Sequence, residues 1–327
     1  MRICMFGAGA IGGYMGVLLA RAGADVSFVA RGAHLSAMRA NGARLRIDGE
    51  EVVAEVKCTD DPRELGPQDY VFITLKAHSV PGAVESMLPL LGKHTAIVTA
   101  INGIPYWYFY RHGGDLEGTT LESIDPGGKQ WRLLGPERAI GCVLYPAAEI
   151  VEPGVIRHVY GRKFPIGEPN GQSTPRIQRL HEIMVAAGFE APIRDSLRDE
   201  IWLKLWGNLC FNPISALTHA TLDVIASDPG TRSAARAMMA EAKAIGDRLG
   251  VHFRVDMERR IDGAGAVGTH KTSMLQDLEH GRPMEIDPLV TVVQEMGRRL
   301  EVQTPTIDVV LALVKQREAM ARRSARD

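Results

Sequence analysis

Short apolar runs alternate with amphipathic stretches through the first half of the chain, and helical periodicity takes over in the second. Residues 2–6 predict a first strand, 11–22 a helix ended by Gly23, and 25–30 a second strand. Residues 70–75 and 95–100 are almost continuously apolar, as strands covered on both faces must be. This rhythm predicts a parallel sheet covered by helices. Residues 105–135 interrupt it with the aromatic run Tyr106-Trp107-Tyr108-Phe109-Tyr110 and the turn-forming Asp125-Pro126-Gly127-Gly128, so an insertion or long connection is expected there. Residues 141–147 and 155–165 predict further strands. Ile177, Leu180, Met184 and Ala187 mark one face of a helix.

From residue 196 onward helices dominate. Ala235, Met238, Met239, Ala242, Ile245 and Leu249 share one helical face. Asp287-Pro288 predicts another helix start, an N-cap followed by proline in the first turn, with Leu289, Val293, Met296 and Leu300 turned inward. A last helix begins near Thr306 and ends in a basic tail, 317–326, expected to be solvated and frayed. One helix carries an anomaly. Lys204, Asn208 and Asn212 stand four apart among Trp202, Leu203, Leu205, Trp206, Leu209, Cys210 and Phe211. A step of four residues advances about 40°, so the polar groups form one stripe on an apolar element. Burying them without partners would cost roughly 1–3 kcal/mol each, and more for the charge. Something polar must meet that stripe.

Composition narrows the classes. At 327 residues the chain exceeds a typical single core, and two domains, 1–195 and 196–327, are expected. The 38 basic and 39 acidic residues leave no electrostatic footprint for nucleic acid or an anionic membrane. No apolar run approaches the ~20 residues of a membrane span, and the first residues already form a strand rather than a signal peptide. The cysteines (Cys4, Cys58, Cys142, Cys210) are too scattered for a disulfide framework or a metal site. The ten histidines contain no ligand pair such as His-x-x-x-His. A cytoplasmic location accords with all of this.

Gly7-Ala8-Gly9-Ala10-Ile11-Gly12 lies between the first strand and its helix, which turns a weak motif into a strong sign of a dinucleotide site. The first glycine makes the turn and the second admits the pyrophosphate. The third lets helix and strand pack closely. The second strand ends Val29-Ala30-Arg31, with no acid for a ribose hydroxyl and a guanidinium suited to a 2′-phosphate, so NADP(H) is the expected cofactor. Lys76 and Asn102 follow two further strands, at the sheet edge where such folds bind ligands. Hydride transfer to a ketone creates an alkoxide that must be protonated. A partly desolvated lysine is suited to that work, because burial makes an ammonium a better acid. Flanking carboxamides can orient a substrate without adding charge.

With these residues in place the chain resembles the ketopantoate reductase family (2-dehydropantoate 2-reductase). The resemblance rests on the glycine motif through Gly13, Thr74-Leu75-Lys76-Ala77, Asn102-Gly103, the Lys204–Asn208–Asn212 stripe followed by Pro213, and Ser273-Met274-Leu275-Gln276-Asp277 with Glu285 beyond. It implies a Rossmann-type doubly wound parallel sheet followed by an all-helical domain, and NADPH-dependent reduction of 2-dehydropantoate to (R)-pantoate. It implies Lys204 as general acid, with Asn208, Asn212 and Ser273 on the substrate and Glu285 placed to contact Lys204 or the cofactor. Asn102 would orient the nicotinamide, Lys76 would lie near ribose or phosphate, and Arg31 would take the 2′-phosphate. Some relatives carry a further substrate asparagine about ten residues beyond the second of the stripe, where this chain reads Thr218-His219-Ala220-Thr221-Leu222. An aromatic lid at 105–135 would admit a larger 2-oxo acid. A different 2-oxo acid is therefore the alternative substrate. A non-catalytic NADPH-binding regulator is disfavoured, because it has no use for a buried acid. The apolar helical faces leave room for a homodimer or for packing within the chain.

Overall fold

The computed structural model describes residues 1–324. The chain forms two compact units, Met1–Leu197 and the stretch from Arg198 onward. In the first unit the strands are β1 (Arg2–Phe6), β2 (Asp25–Val29), β3 (Ala43–Ile47), β4 (Glu50–Ala54), β5 (Lys57–Thr59), β6 (Gln68–Ile73), β7 (Leu91–Thr99), β8 (Ala139–Cys142), β9 (Ala147–Glu152), β10 (Val155–Tyr160) and β11 (Ile166–Gly167). Its helices are α1 (Ala10–Arg21), α2 (Gly32–Asn41), α3 (Val80–Met87), α4 (Lys129–Leu134) and α5 (Pro175–Ala186).

The larger sheet runs β11-β8-β7-β6-β1-β2-β5. All neighbours are parallel except β11, which closes the edge antiparallel to β8. The chain winds outward from β1 through β2 and β5, then resumes on the other side with β6, β7 and β8. Strand order thus reverses between β1 and β6, and open parallel sheets bind ligands beyond the carboxyl ends of their strands at such a point. Tyr70, Val71, Phe72 and Ile73 are all buried, because helices cover both faces.

A second sheet, β4-β3-β10-β9, is absent from the sequence reading. Its β3–β4 hairpin turns on Asp48 and Gly49, with φ of 53° and 82°. Positive φ at both positions is what an Asp-Gly turn supplies. This sheet lies on α1, where a Cβ on Gly13 would come within 2.5 Å of Ile156. One core joins Met5, Phe28 and Phe72 of the large sheet, Tyr14 and Met15 of α1, and Leu45 and Ile156 of the small sheet.

Three expectations need correction. The aromatic run is no lid. Tyr106, Trp107, Tyr108 and Phe109 are buried, and Trp107 Nε1 donates to Thr99 Oγ1 at 2.9 Å. The same stretch folds into α4, whose first N–H groups donate to the Asp125 carboxylate. Residues 141–147 are not one strand, since β8 ends at Cys142 and β9 starts at Ala147.

The second unit contains α6 (Leu197–Thr218, which begins at the last residue of the first unit), α7 (Leu222–Ser227), α8 (Pro229–Arg248), α9 (Met257–Gly265), α10 (Ser273–Glu279), α11 (Val292–Arg299) and α12 (Pro305–Ser324). The third correction falls here. A π-helical turn, Asp287–Thr291, leads into α11, and Asp287 is not its cap. The Asp287 carboxylate instead accepts from Thr291 and pairs with Lys315 at 3.1 Å. The basic tail is helical at its start. α12 continues to Ser324, with Arg317 bonded to His219 and Arg322 paired with Glu318, while Arg326 lies outside the described residues. Among the described residues no helix is long and apolar enough to cross a membrane. The four cysteines are all buried. Burial pushes the Cys4 thiol up to about 12 and the Cys58 thiol to about 11, so neither forms a thiolate near neutral pH.

Candidate functional site

Each glycine after β1 has its own physical reason. Gly7 adopts φ +113°, and a side chain there would also meet Leu75 at 2.9 Å. Gly12, in the first turn of α1, packs on the strand end: a Cβ would fall 2.0 Å from the Gly7 carbonyl oxygen and 2.5 Å from Thr74 Oγ1. Gly9 needs neither relief. Its φ of −66° and ψ of −167° are open to any residue, and nothing lies within 4 Å of the place a Cβ would take. A bare position without conformational need is a cradle for a group that presses on the backbone.

The same loop presents donors. Gly9 is the N-cap of α1, no side chain caps it, and no acid stands in the first turn. Gly13 N–H makes the early intrahelical bond, to Gly9 O at 2.7 Å. The N–H groups of Ala10, Ile11 and Gly12 precede it and have no carbonyl one helical turn back within the helix. With the partial positive charge of the helix end, they offer an anion site. These features fit a pyrophosphate. Thr74, just past β6, holds the loop in place: its hydroxyl donates to Gly7 O at 2.6 Å and its N–H to Phe6 O at 3.1 Å.

The other predicted cofactor residues stand along the same sheet edge. Ala8 is buried within the loop, while Ala10 and Ile11 are half-buried. Arg31 is exposed just beyond β2, in extended conformation (φ −145°, ψ 164°), and opens α2, whose first turn holds no acid. Lys76 is exposed beyond β6, at the head of a single 3₁₀ turn, Ala77–Ser79. Asn102 is half-buried beyond β7, next to Gly103 at φ +83°. The parallel sheet therefore gathers the ends of β2, β1, β6 and β7, adjacent in that order, with the glycine loop at the centre. Sequence reasoning missed two residues here: the Thr74 hydroxyl as a clamp, and His34, whose Nε2 lies 2.7 Å from Ala8 O. Nothing in the local pattern around His34 signals such a bond.

In the second unit the stripe lies on α6. Trp202 and Trp206 are buried on this helix, and Trp206 Nε1 donates to Met239 O of α8 at 2.8 Å while its ring sits 4.7 Å from that of Phe253. At about 100° per residue, both tryptophans point away from Lys204. Locking them sets the rotation of α6 and so the direction of the stripe. Lys204 and Asn208 are half-buried and Asn212 is buried. Pro213 follows Asn212 inside α6 and supplies no N–H for the carbonyl of Leu209. Ser273 opens α10 beside the N-cap Thr272, and its hydroxyl comes within 3.5 Å of Asn212 Nδ2. The structure thus brings together two of the expected substrate residues from segments 61 residues apart. Glu285 is buried two residues before the turn that leads into α11. Residues 219–221 form the connection from α6 to α7, and Thr218 and Ser215 beside it bond the local backbone.

A family model described as ketopantoate reductase PanE/ApbA matches residues 3–171, and one described as ketopantoate reductase PanE/ApbA C terminal matches residues 196–318. The chain belongs to the ketopantoate reductase family. It is 59% identical over 317 residues to the 2-dehydropantoate 2-reductase of Mesorhizobium japonicum, covering 97% of each chain. It is similar in structure to a candidate ketopantoate reductase from Ralstonia solanacearum, with a TM-score of 0.93, 41% identity and 98% of both chains covered. D-mandelate dehydrogenase, in its ternary structure with NADH and anilino(oxo)acetate, shares the fold at a TM-score of 0.84 and 18% identity, over 98% of this chain and 99% of that one.

The glycine geometry separates folding from binding. Gly12→Ala is expected to lower unfolding free energy by about 2–3 kcal/mol through overpacking against backbone. Gly9→Ala should leave stability within about 1 kcal/mol yet weaken a nicotinamide nucleotide at least about tenfold. Denaturant melts and fluorescence titration of the two variants check this. Equal behaviour in both assays contradicts it.

Proposed function

We propose that this chain reduces 2-dehydropantoate to (R)-pantoate with NADPH, a step toward pantothenate and coenzyme A. The observation that carries the reading is the stripe of one ammonium and two carboxamides on α6, held in direction by Trp206. The substrate rests on the likeness, along nearly the whole chain, to an enzyme named 2-dehydropantoate 2-reductase. When bound, NADPH supplies the hydride that adds to the ketone carbon. Lys204 acts as general acid and donates its proton to the carbonyl oxygen as charge develops there.

Asn208 and Asn212 hold the carboxylate and hydroxyl end of the substrate, because a carboxamide both donates and accepts. Ser273, next to Asn212, adds a hydroxyl to the same group. Glu285 orients Lys204 or contacts the cofactor. The first-turn N–H groups of α1 take the pyrophosphate, Lys76 serves ribose or phosphate, and Asn102 orients the nicotinamide. Arg31 takes the 2′-phosphate, and its fork of donors, with no carboxylate at the end of β2, selects NADPH over NADH. A second reading, a reductase of another 2-oxo acid, is favoured by the absence of asparagine from residues 218–222.

Following NADPH absorbance with 2-dehydropantoate and a panel of 2-oxo acids tests the reaction. Oxidation fastest with 2-dehydropantoate is expected, a faster acid would replace the substrate, and no oxidation with any would end the enzymatic reading. Arg31→Ala tests the cofactor choice. It should raise the Kd of NADPH by about 10- to 100-fold and leave that of NADH within about twofold. Equal loss of both would remove the basis for NADP selectivity.

A further inference from the structure

His34, in the first turn of α2, touches two elements far from it in sequence. Its Nδ1 lies 2.9 Å from the backbone nitrogen of Gly154, and its Nε2 lies 2.7 Å from the carbonyl oxygen of Ala8. A backbone N–H can only donate and a carbonyl can only accept. Both bonds form together only when Nδ1 is bare and Nε2 carries the proton, which is the neutral Nε2–H tautomer. The anchor at Gly154 is itself held. Gly154 sits at φ +80° in the β9–β10 turn, its carbonyl accepts from Arg44 N–H of β3 at 3.0 Å, and a Cβ there would come within 2.9 Å of Ala37 in α2.

The Ala8 carbonyl belongs to the peptide group that supplies Gly9 N–H. A trans peptide is planar, so its C=O and N–H point in opposite directions. A bond that pulls the Ala8 oxygen toward His34 therefore turns Gly9 N–H away from His34. Gly9 is the N-cap whose missing side chain leaves open space. We propose that His34 is a positioning residue for the cofactor: through its Nε2–H it fixes the Ala8–Gly9 peptide plane, so that Gly9 N–H is presented to the pyrophosphate before the nucleotide arrives. The second sheet then has a role beyond covering α1, because its β9–β10 turn holds the imidazole in the required tautomer. The inference rests on the reading that the glycine loop binds NADPH.

Two near-isosteric variants divide the two bonds. His34→Gln can place an amide N–H near the Nε2 position and keep the donor to Ala8. His34→Asn can place an oxygen near Nδ1 and keep only the acceptor for Gly154. NADPH affinity by fluorescence titration should stay within about threefold of the native chain for His34→Gln and fall at least about tenfold for His34→Asn and His34→Leu. Turnover at saturating NADPH should stay within about twofold in all three. Native affinity in His34→Asn, or losses that simply follow each variant's melting temperature, would overturn the proposal. If the native chain bound no NADPH, the cofactor reading itself would fail. The tautomer is read separately, from the ¹⁵N spectrum of the ligand-free protein. A single Nε2–H form supports the positioning role of His34, and an Nδ1–H or averaged ring overturns it.

Discussion

Helix α1 must begin almost in contact with the end of β1, and the approach is possible only because Gly12 has no side chain. A methyl group there would stand 2.0 Å from the Gly7 carbonyl oxygen. Much else follows from that contact. It aims the unpaired N–H groups of the first turn at the carboxyl edge of the sheet, at the point where strand order reverses. It leaves Gly9 as an uncovered shelf, and it brings Thr74 close enough to bond Gly7. The small sheet lies on the same helix and sends His34 support from Gly154. The loop is therefore shaped by contacts from the strands, from Thr74 and from the small sheet.

Legibility in the sequence followed the range of the interactions. The β1–loop–α1 unit was readable because its signals are local: an apolar run, three glycines at fixed spacing and an amphipathic helix. The second sheet was not, although β3 alternates in burial and Asp48-Gly49 marks the hairpin. Its outward residues are charged (Arg44 and Arg46 pair with Glu51), so the run is polar on average. Its pairing with β10 comes from more than a hundred residues away. The aromatic run within 105–135 suggests a lid by composition alone, which does not report what covers a ring. Trp107 found its acceptor in Thr99, and its ring lies against Gly141, where no side chain intervenes. Asp287 has the composition of a cap, but Lys315 on another helix competes for it.

The stripe on α6 was legible for the opposite reason. Three polar residues at fourfold spacing in an apolar helix conflict with ordinary core patterning, and such conflicts mark sites. The sequence carried no sign of what sets their direction. Trp206 does this by bonding Met239 on the far side of the helix. Nor could spacing alone place Ser273 beside Asn212. The glycine loop offers backbone donors at a helix start, and a locked helix presents one ammonium and two carboxamides along a single stripe.

The division of labour between loop and stripe is tested most directly on Lys204→Ala, by measuring kcat with the best substrate alongside the Kd of NADPH. If Lys204 is the proton donor, kcat falls by about 10²–10⁴ while the Kd changes less than about threefold. Turnover near the native rate, or loss of NADPH binding in place of turnover, would contradict the account.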